Sequence, residues 1–291
     1  HGDRKAFLEE VKHDGMLLAF ATEQLRDDKE AVLASVRKEG VALQYASQRI
    51  QNERDVVLVA VQRDGQALQF ASPALRNDKG VVLEAVNHHG TSLVAASAKL
   101  RNDKEVVLAA IFNDGRAVQF ASKELRNDRE VVMEAVKRVG STVVCASDEL
   151  RTDRGIVLEA CRADGRALAS AALELRADRE FVMEAVKQDG FALQFAAPEL
   201  CADPEFMLEC VKQDGMALSA AKMCLRAHTD IVLEAVKNNG LALQFAQEGL
   251  KGERQIVMAA VRSKGKALQF ASLELRNTRR VVEAAVPQDG M

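Results

Sequence analysis

Glycine recurs every 25 residues along the whole chain, and this period constrains the fold more than any other feature of the sequence. The glycines are Gly15, Gly40, Gly65, Gly90, Gly115, Gly140, Gly165, Gly190, Gly215, Gly240, Gly265 and Gly290. Because the interval contains no insertion, the sequence predicts a single tandem array over residues 1–291, with eleven full repeats and a partial twelfth. The repeats begin at Asp3, Asp28, Glu53, Asp78, Asp103, Asp128, Asp153, Asp178, Asp203, His228, Glu253 and Thr278.

The first part of each repeat predicts an amphipathic helix. In the repeat 178–202, Asp178 is suited to an N-cap, and Gly190 is expected to be the left-handed residue that follows the last turn. Apolar residues cover more than half of the helix circumference between these two positions. They are Phe181, Val182, Met183, Ala185 and Val186. Such a helix is buried on two sides, as stacking between equivalent helices requires.

The second part of the repeat predicts a shorter helix and a tight turn. Ala192, Leu193 and Ala196 have helical spacing, and the equivalent of Ala196 is alanine in all eleven full repeats, which indicates a close contact. A single leucine, Leu200, then anchors the turn before the next N-cap. The predicted fold class is therefore all-α, an α-solenoid of 25-residue two-helix repeats.

The end repeats depart from the consensus. Glu10 replaces a small buried residue, Glu283 replaces a leucine, and Pro287 interrupts the last helix. Polar replacements at these points are typical of caps, although ordinary sequence drift is an equal alternative. Because the chain begins with His1, we expect a processed product or part of a longer protein.

Composition excludes several classes of protein. With 48% hydrophobic residues the chain is too apolar for a disordered protein, yet no apolar run is long enough to span a bilayer. A net charge of −3 and a pI near 6.1 argue against a protein whose main task is to neutralise phosphate. The five cysteines are an odd number without C-x-x-C spacing, so we expect an intracellular, reducing compartment.

The repeat text resembles a known family. Residues 103–127 read DKEVVLAAIFNDGRAVQFASKELRN, and the blocks D-K/R-E-V-V-L, D-G, A-L-Q-F-A-S and E-L-R-N recur together at fixed offsets. They resemble a family catalogued only as a domain of unknown function, found in tandem in unicellular algae, including dinoflagellates, and in some intracellular bacteria. The resemblance implies a helical repeat protein without known catalytic residues, and it makes a plastid setting conceivable. The Gln-Phe pair is lost at Val94-Ala95, Val144-Cys145, Ala169-Ser170 and Ser219-Ala220.

No constellation of residues predicts an enzyme, a cofactor or a metal site. No nucleophile stands beside a base. His88 and His89 are adjacent at a helix end, where side chains diverge by about 100° and do not chelate one metal well. Cys161 and Cys210 replace core residues and are interpreted as buried hydrophobes, whereas Cys201 and Cys224 are predicted to lie at outer positions.

Two rows of side chains could bind nucleic acid. The arginine row consists of Arg26, Arg76, Arg101, Arg126, Arg151, Arg176, Arg226 and Arg276, with Lys251 in the same place. Because an acidic N-cap follows two residues later in most repeats, local pairing or helix capping is the favoured interpretation. The aromatic row consists of Phe20, Tyr45, Phe70, Phe120, Phe195, Phe245 and Phe270. These rings are predicted to be wedges between helix layers, since base stacking requires exposure.

The residue after each repeat glycine varies most, as expected of a recognition surface on a constant frame. This variable row consists of Met16, Val41, Gln66, Thr91, Arg116, Ser141, Arg166, Phe191, Met216, Leu241 and Lys266. Phe191, Met216 and Leu241 lie in consecutive repeats, and Leu173 and Met223 add apolar side chains in nearby turns. We expect these five residues to form an apolar strip that binds a protein segment. The alternative is that Phe191 packs back on its own helix and covers Val186.

The sequence therefore predicts a non-enzymatic scaffold for protein–protein interaction, or a structural subunit of a larger complex. The alternative is a helical repeat array that binds RNA or single-stranded nucleic acid, which a strong dependence of binding on salt would indicate. Metal or redox sensing through the cysteines is a third hypothesis.

Overall fold

A computed structural model describes residues 2–286 of the protein, and Pro287 and Gly290 lie outside this range. Within it the chain is an all-α repeat solenoid without a β-strand. The chain divides into two compact units, residues 1–150 and residues 151–291. Each unit is a stack of 25-residue repeats, and each repeat contains a long α-helix, a six-residue 3₁₀ helix and a short helix. The prediction of one uninterrupted array stays a prediction.

The same three elements recur in every complete repeat. The long helices are Gly2–Glu10, Lys29–Lys38, Arg54–Arg63, Lys79–His88, Lys104–Asn113, Arg129–Arg138, Arg154–Ala163, Arg179–Gln188, Pro204–Gln213, Thr229–Asn238, Arg254–Ser263 and Arg279–Ala285. The 3₁₀ helices are Gly15–Phe20, Gly40–Tyr45, Gly65–Phe70, Gly90–Ala95, Gly115–Phe120, Gly140–Cys145, Gly165–Ser170, Gly190–Phe195, Gly215–Ala220, Gly240–Phe245 and Gly265–Phe270. The short helices are Glu23–Arg26, Ile50–Asn52, Leu75–Asn77, Leu100–Asn102, Leu125–Asn127, Leu150–Thr152, Leu173–Ala177, Leu200–Ala202, Leu225–Ala227, Glu248–Lys251 and Leu273–Arg276.

The long helices form as their sequence predicts. Asp178 is the N-cap of Arg179–Gln188, and its carboxylate accepts a hydrogen bond from the N–H of Phe181 at 2.9 Å. Phe181, Val182 and Ala185 are fully buried. Equivalent residues in the other repeats form the core of each unit, where each long helix packs on its neighbouring long helices and on the adjacent 3₁₀ helices.

The repeat glycines do not have the left-handed conformation that the sequence predicts. No glycine among residues 2–286 has a positive φ. Instead, each repeat glycine from Gly15 to Gly265 begins a 3₁₀ helix, and within each unit this helix packs on the next repeat. A Cβ on Gly90 would lie 2.3 Å from the carbonyl oxygen of Ala110, and one on Gly240 would lie 2.2 Å from that of Ala260. Glycine is therefore required by close approach between two backbones.

The second helix is a 3₁₀ helix, capped by the residue before the glycine. Asp189 accepts a hydrogen bond from the N–H of Phe191 at 2.9 Å, and Asp214 does the same for Met216. Ala192 and Leu193 are fully buried, as predicted. The Asp-Gly pair thus combines a cap for the 3₁₀ helix with the glycine that packs on the neighbouring repeat.

The short helix joins each repeat to the one before it. The N–H of Ser122 donates to the carbonyl oxygen of Arg101 at 2.9 Å, and the Ser122 hydroxyl donates to Oδ1 of Asn102 at 2.5 Å. The same hydroxyl accepts the N–H of Leu125 at 3.2 Å. Ser72, Ser97 and Ser147 make equivalent contacts, which we call the serine–asparagine ladder. These side-chain bonds explain the serine of the A-L-Q-F-A-S block and the asparagine of the E-L-R-N block.

A second set of contacts, which we call the ion-pair ladder, joins the N-termini of successive long helices. The first residue of one long helix binds the N-cap carboxylate of the next repeat: Lys79 Nζ lies 2.7 Å from Asp103, and Lys104 Nζ lies 2.7 Å from Asp128. Arg54, Arg154 and Arg179 bind their N-cap partners in the same way, and Arg4, at the equivalent repeat position within Gly2–Glu10, binds Asp28. Each pair is partly exposed, so a single rung contributes little.

The end repeats differ in exposure. Glu10 is exposed, whereas the equivalent Ala60 is fully buried, and the exposed Glu283 pairs with Arg279 at 2.7 Å. Their role as caps stays a prediction. No helix within residues 2–286 is both long enough and apolar enough to cross a bilayer.

Candidate partner-binding surface

The 3₁₀ helices present one face to solvent. With three residues per turn, the variable-row residue and the residue three positions later lie on the same side of the helix. Gln119 and Arg116 show this directly, since the Gln119 amide donates to the Arg116 carbonyl oxygen at 3.1 Å. The two residues between them, Ala117 and Val118, are buried. The variable row is therefore on the exposed side of the stack of 3₁₀ helices within each unit.

The structure brings three of the predicted residues together. Phe191, Met216 and Leu241 occupy the same position on three successive 3₁₀ helices that contact one another. Phe191 is 52% exposed, and Met216 and Leu241 are half-buried. The residue before each of them is the N-cap of the 3₁₀ helix, and its side chain accepts the backbone N–H of Phe191, Met216 or Leu241. These hydrogen bonds hold the backbone in place at all three positions.

Phe191 is partly covered and partly exposed. More than half of its surface stays in solvent and Val186 is buried, and the alternative that Phe191 covers Val186 stays a prediction. The guanidinium of Arg166, the variable-row residue of the preceding repeat, lies 5.7 Å from the centre of the Phe191 ring. A cation above an aromatic face at this distance is a favourable contact. The ring thus interacts along the row rather than only within its own repeat.

Leu173 and Met223 lie on a different row. Leu173 is 63% exposed at the start of a short helix, and Met223 is 76% exposed just before the equivalent helix two repeats later. Pro198 occupies this position in the intervening repeat, so the two side chains are not consecutive. Leu273, which the sequence analysis missed, is also exposed at this position. The repeat register was the signal that could have identified it.

In the unit 1–150, apolar residues also replace glutamine on the exposed 3₁₀ face. Val94 and Val144 are exposed at the position where other repeats have glutamine. Beside Val94 lies a cavity of about 220 Å³, lined in part by Ala95 and Phe120. Loss of the aromatic ring at Ala95 leaves this space. In the sequence these departures are visible only as losses of the Gln-Phe pair.

Three members of the arginine row cap 3₁₀ helices. Arg26 donates to the carbonyl oxygen of Ala19 at 2.6 Å, Arg226 donates to that of Ser219 at 2.6 Å, and Arg176 donates to that of Phe195 at 2.7 Å. Helix capping, one of the two predicted uses, is therefore seen. At Asp103 and Asp128 the carboxylate instead binds a cation of the preceding repeat, Lys79 or Lys104, which differs from the predicted local pairing.

The aromatic row is mostly half-buried. Tyr45, Phe70 and Phe120 pack against the core of their unit, as wedges would. Phe20, in the first repeat, is instead 88% exposed. Half-buried rings offer little free face for stacking on nucleic-acid bases.

The histidines and cysteines are dispersed. His88 lies 3.6 Å from Glu84 in its own helix, whereas His89 lies 3.4 Å from Asp64 of the preceding repeat, so the two rings point to different partners. Within residues 2–286 no group of three His, Cys, Asp or Glu side chains could hold a metal ion.

All five cysteines are free. Burial raises the pKa of the Cys161 and Cys210 thiols to about 12, which keeps both protonated at neutral pH. Cys201 is buried and not at an outer position as predicted, because its side chain fills the space under the 3₁₀ helix and its thiol donates to the carbonyl oxygen of Leu193 at 3.7 Å. Cys224 is exposed.

One family model matches the repeats along the chain. The matched ranges are 7–51, 28–76, 53–101, 78–126, 103–151, 128–176, 153–201, 178–226, 203–251, 228–276 and 253–291. The chain belongs to the family described as a domain of unknown function, DUF4116. Most ranges span two successive repeats, so a DUF4116 unit includes the contacts between neighbours. No curated protein and no solved structure matches the chain.

Proposed function

We propose that this DUF4116 array is a non-enzymatic scaffold that binds a protein partner through the variable row of residues 151–286. Phe191, Met216 and Leu241 are the centre of the proposed surface, and Leu173 and Met223 extend it onto the neighbouring short helices. The observation that carries the proposal is the exposure of Phe191 in line with two further apolar residues on successive 3₁₀ helices. Burial of one such side chain against a partner contributes about 1.5–3 kcal/mol.

The rigidity of the row supports this use. Each of the three residues follows a capped helix start, so little backbone entropy is lost when a partner binds. Aromatic side chains with few rotatable bonds are common anchors in interfaces. Phe191, with Arg166 beside it, is therefore the expected hot spot of the surface.

Affinity purification tests the proposal. The full chain and a Phe191→Ser, Met216→Ser, Leu241→Ser variant are used to capture partners at moderate and at high salt, with a nuclease-treated control. We expect stoichiometric protein partners that persist at high salt and are lost with the triple variant, because the contact is apolar. The matched control changes the same row in the other unit, as Val41→Ser, Gln66→Ser, Thr91→Ser, and should retain the partners.

Two other results would contradict the proposal. Recovery of nucleic acid alone, stripped by high salt, would support the RNA-binding alternative. Equal capture of protein partners by the triple variant and the wild-type protein would exclude this row as the binding surface. Membership of a larger complex, a reducing compartment, an algal or bacterial source and a plastid setting remain predictions from the sequence.

A further inference from the structure

A row of leucines marks the outer face of the long helices in the unit 1–150. The row consists of Leu8, Leu33, Leu58, Leu83, Leu108 and Met133, one residue per repeat, and we call it the outer leucine row. All six side chains are half-buried, and the five leucines pack on the core while part of their surface reaches solvent. This face is distinct from the variable row, which lies on the 3₁₀ helices.

The apolar face is widened in the second, third and fifth repeats. Ala34, Val59 and Ala109 follow the leucines there, and all three are half-buried. Most other repeats have glutamate at this position, and it pairs one turn later with a basic residue: Glu134 binds Lys137 at 3.0 Å, and Glu159 binds Arg162 at 3.0 Å. The glutamates are Glu9, Glu84, Glu134, Glu159, Glu184, Glu209 and Glu234. The second, third and fifth repeats therefore lack this part of the ionic cover, which the fourth repeat retains through Glu84.

Two features show that this face is open. A cavity of about 850 Å³ lies between the first two long helices, with Leu8, Leu33 and Ala34 among its lining residues. In the fifth repeat Phe112 is 76% exposed where most repeats have a basic residue, and the Arg138 guanidinium lies 4.5 Å from its ring centre. An exposed ring and an unfilled apolar groove on one helix face indicate a binding surface.

The charge at the rim favours an acidic partner. On the side of the helix N-termini, cations and carboxylates neutralise one another in the ion-pair ladder. On the side of the C-termini, Arg37 and Lys38 line the cavity and form no ion pair with any residue in the range 2–286. The other charged residues of the lining, Glu9, Lys12, Lys29 and Glu30, are paired, and the exposed Glu39 lies outside the lining. The unpaired charges of the lining are therefore positive, which complements carboxylates on a partner.

The spacing of the repeats favours an α-helical partner. Packed helices lie about 8–10 Å apart, so the leucines of successive repeats are separated by roughly that distance. Along an α-helix, residues seven apart are separated by about 10.5 Å. A helix that crosses the long helices can thus place one apolar turn per heptad against each repeat. Three repeat intervals, from Leu33 to Leu108, correspond to roughly 20 helical residues.

We propose that the outer leucine row, between Leu8 and Phe112, binds an acidic amphipathic helix of a partner protein. Apolar side chains of that helix would cover Leu33, Leu58 and Leu108, and its carboxylates would face Arg37 and Lys38. The proposal does not depend on the variable row, which lies on other elements.

A displayed library of 21-residue peptides tests this proposal. Each peptide has apolar residues at heptad positions a and d, and Glu, Lys, Gln or Ala elsewhere. We expect selection on the full chain to enrich Glu over Lys. The enriched peptides should bind the Ala34→Glu, Val59→Glu, Ala109→Glu variant at least tenfold more weakly in fluorescence anisotropy. This variant should fold, since glutamate is the native residue at the equivalent positions 84 and 134.

A matched pair of single changes controls for added charge. Ala109→Glu and Ala259→Glu alter the same repeat position, but Ala259 lies on the long helix Arg254–Ser263, outside the proposed surface. Only Ala109→Glu should weaken peptide binding. The Phe191→Ser, Met216→Ser, Leu241→Ser variant should bind the peptides normally, so failure of this proposal is distinguishable from failure of the proposed function.

Several outcomes would overturn the proposal. They are enrichment of no peptide over a scrambled library, enrichment of Lys-rich peptides, or equal binding by the triple-glutamate variant. Light scattering measures the oligomeric state and so tests whether a second copy of the chain covers this face. A dimer that the triple-glutamate substitution dissociates would assign this face to a second copy of the chain instead of a partner helix.

Discussion

At the scale of single residues, close packing accounts for the most regular feature of the sequence. The repeat glycine has an ordinary backbone conformation. Glycine is therefore required because it has no side chain, and not because it can adopt conformations that other residues avoid. Gly240 and Gly249 lie in the same repeat, but only Gly240 is closely packed. A Cβ on Gly240 would meet backbone at 2.2 Å, whereas nothing lies within 4 Å of one on Gly249.

We therefore expect Gly240→Ala to lower the free energy of unfolding by about 1–3 kcal/mol through overpacking. Gly249→Ala should leave it unchanged or raise it by about 0.5–1 kcal/mol, because glycine is the poorer helix former. Urea unfolding measures both. Asparagine tolerates a left-handed conformation better than alanine does, so a Gly240→Asn variant more stable than Gly240→Ala would contradict the close-packing explanation.

At the scale of elements, local periodicity determined what the sequence could predict. The long helix was predictable because Phe181, Val182 and Ala185 have helical spacing between an N-cap and a glycine. The 3₁₀ geometry of Gly190–Phe195 was not, since six residues with two buried positions fit either kind of helix. The exposure of Phe191 followed from its place in the variable row. The separation of Leu173 and Met223 by Pro198 is visible only when the repeats are aligned in register, because apolar character alone does not distinguish consecutive from alternate repeats.

Contacts between repeats were missed for a different reason. Ser122 and Asn102 are 20 residues apart, and each is suited to a local turn when considered alone. We expect Ser122→Ala to lower the free energy of unfolding by about 1 kcal/mol, since it removes both the cap of the short helix and the inter-repeat bond. Asn102→Ala should cost less. Urea unfolding of the double variant should show less than the sum of the two losses, and strict additivity would mean that the pair is not coupled.

At the scale of the whole molecule, the ion-pair ladder makes stability depend on pH. Lys79 holds the pKa of Asp103 below its usual range, and Arg54 and Arg4 do the same for Asp78 and Asp28. A carboxylate whose pKa is lower in the folded state stabilises the fold above its unfolded pKa of about 4, and this contribution is lost as the pH falls through the folded pKa. Stability should therefore decrease from about pH 5 towards pH 2, with little change between pH 6 and pH 8.

The Asp103→Asn variant isolates one rung of the ladder. Asparagine still caps a helix but carries no charge for Lys79, so the difference between the urea midpoints at pH 7 and pH 3 should be smaller in this variant than in the wild-type protein. Asp230, near the start of the long helix Thr229–Asn238, is exposed, and Asp230→Asn controls for loss of charge alone. Because the rungs are partly exposed, 1 M NaCl should reduce the Asp103 effect at pH 7. An Asp103→Asn variant with the same pH dependence as the wild-type protein would show that the ladder does not couple protonation to folding. Acid sensitivity would then have to come from carboxylates outside it, such as the caps of the 3₁₀ helices.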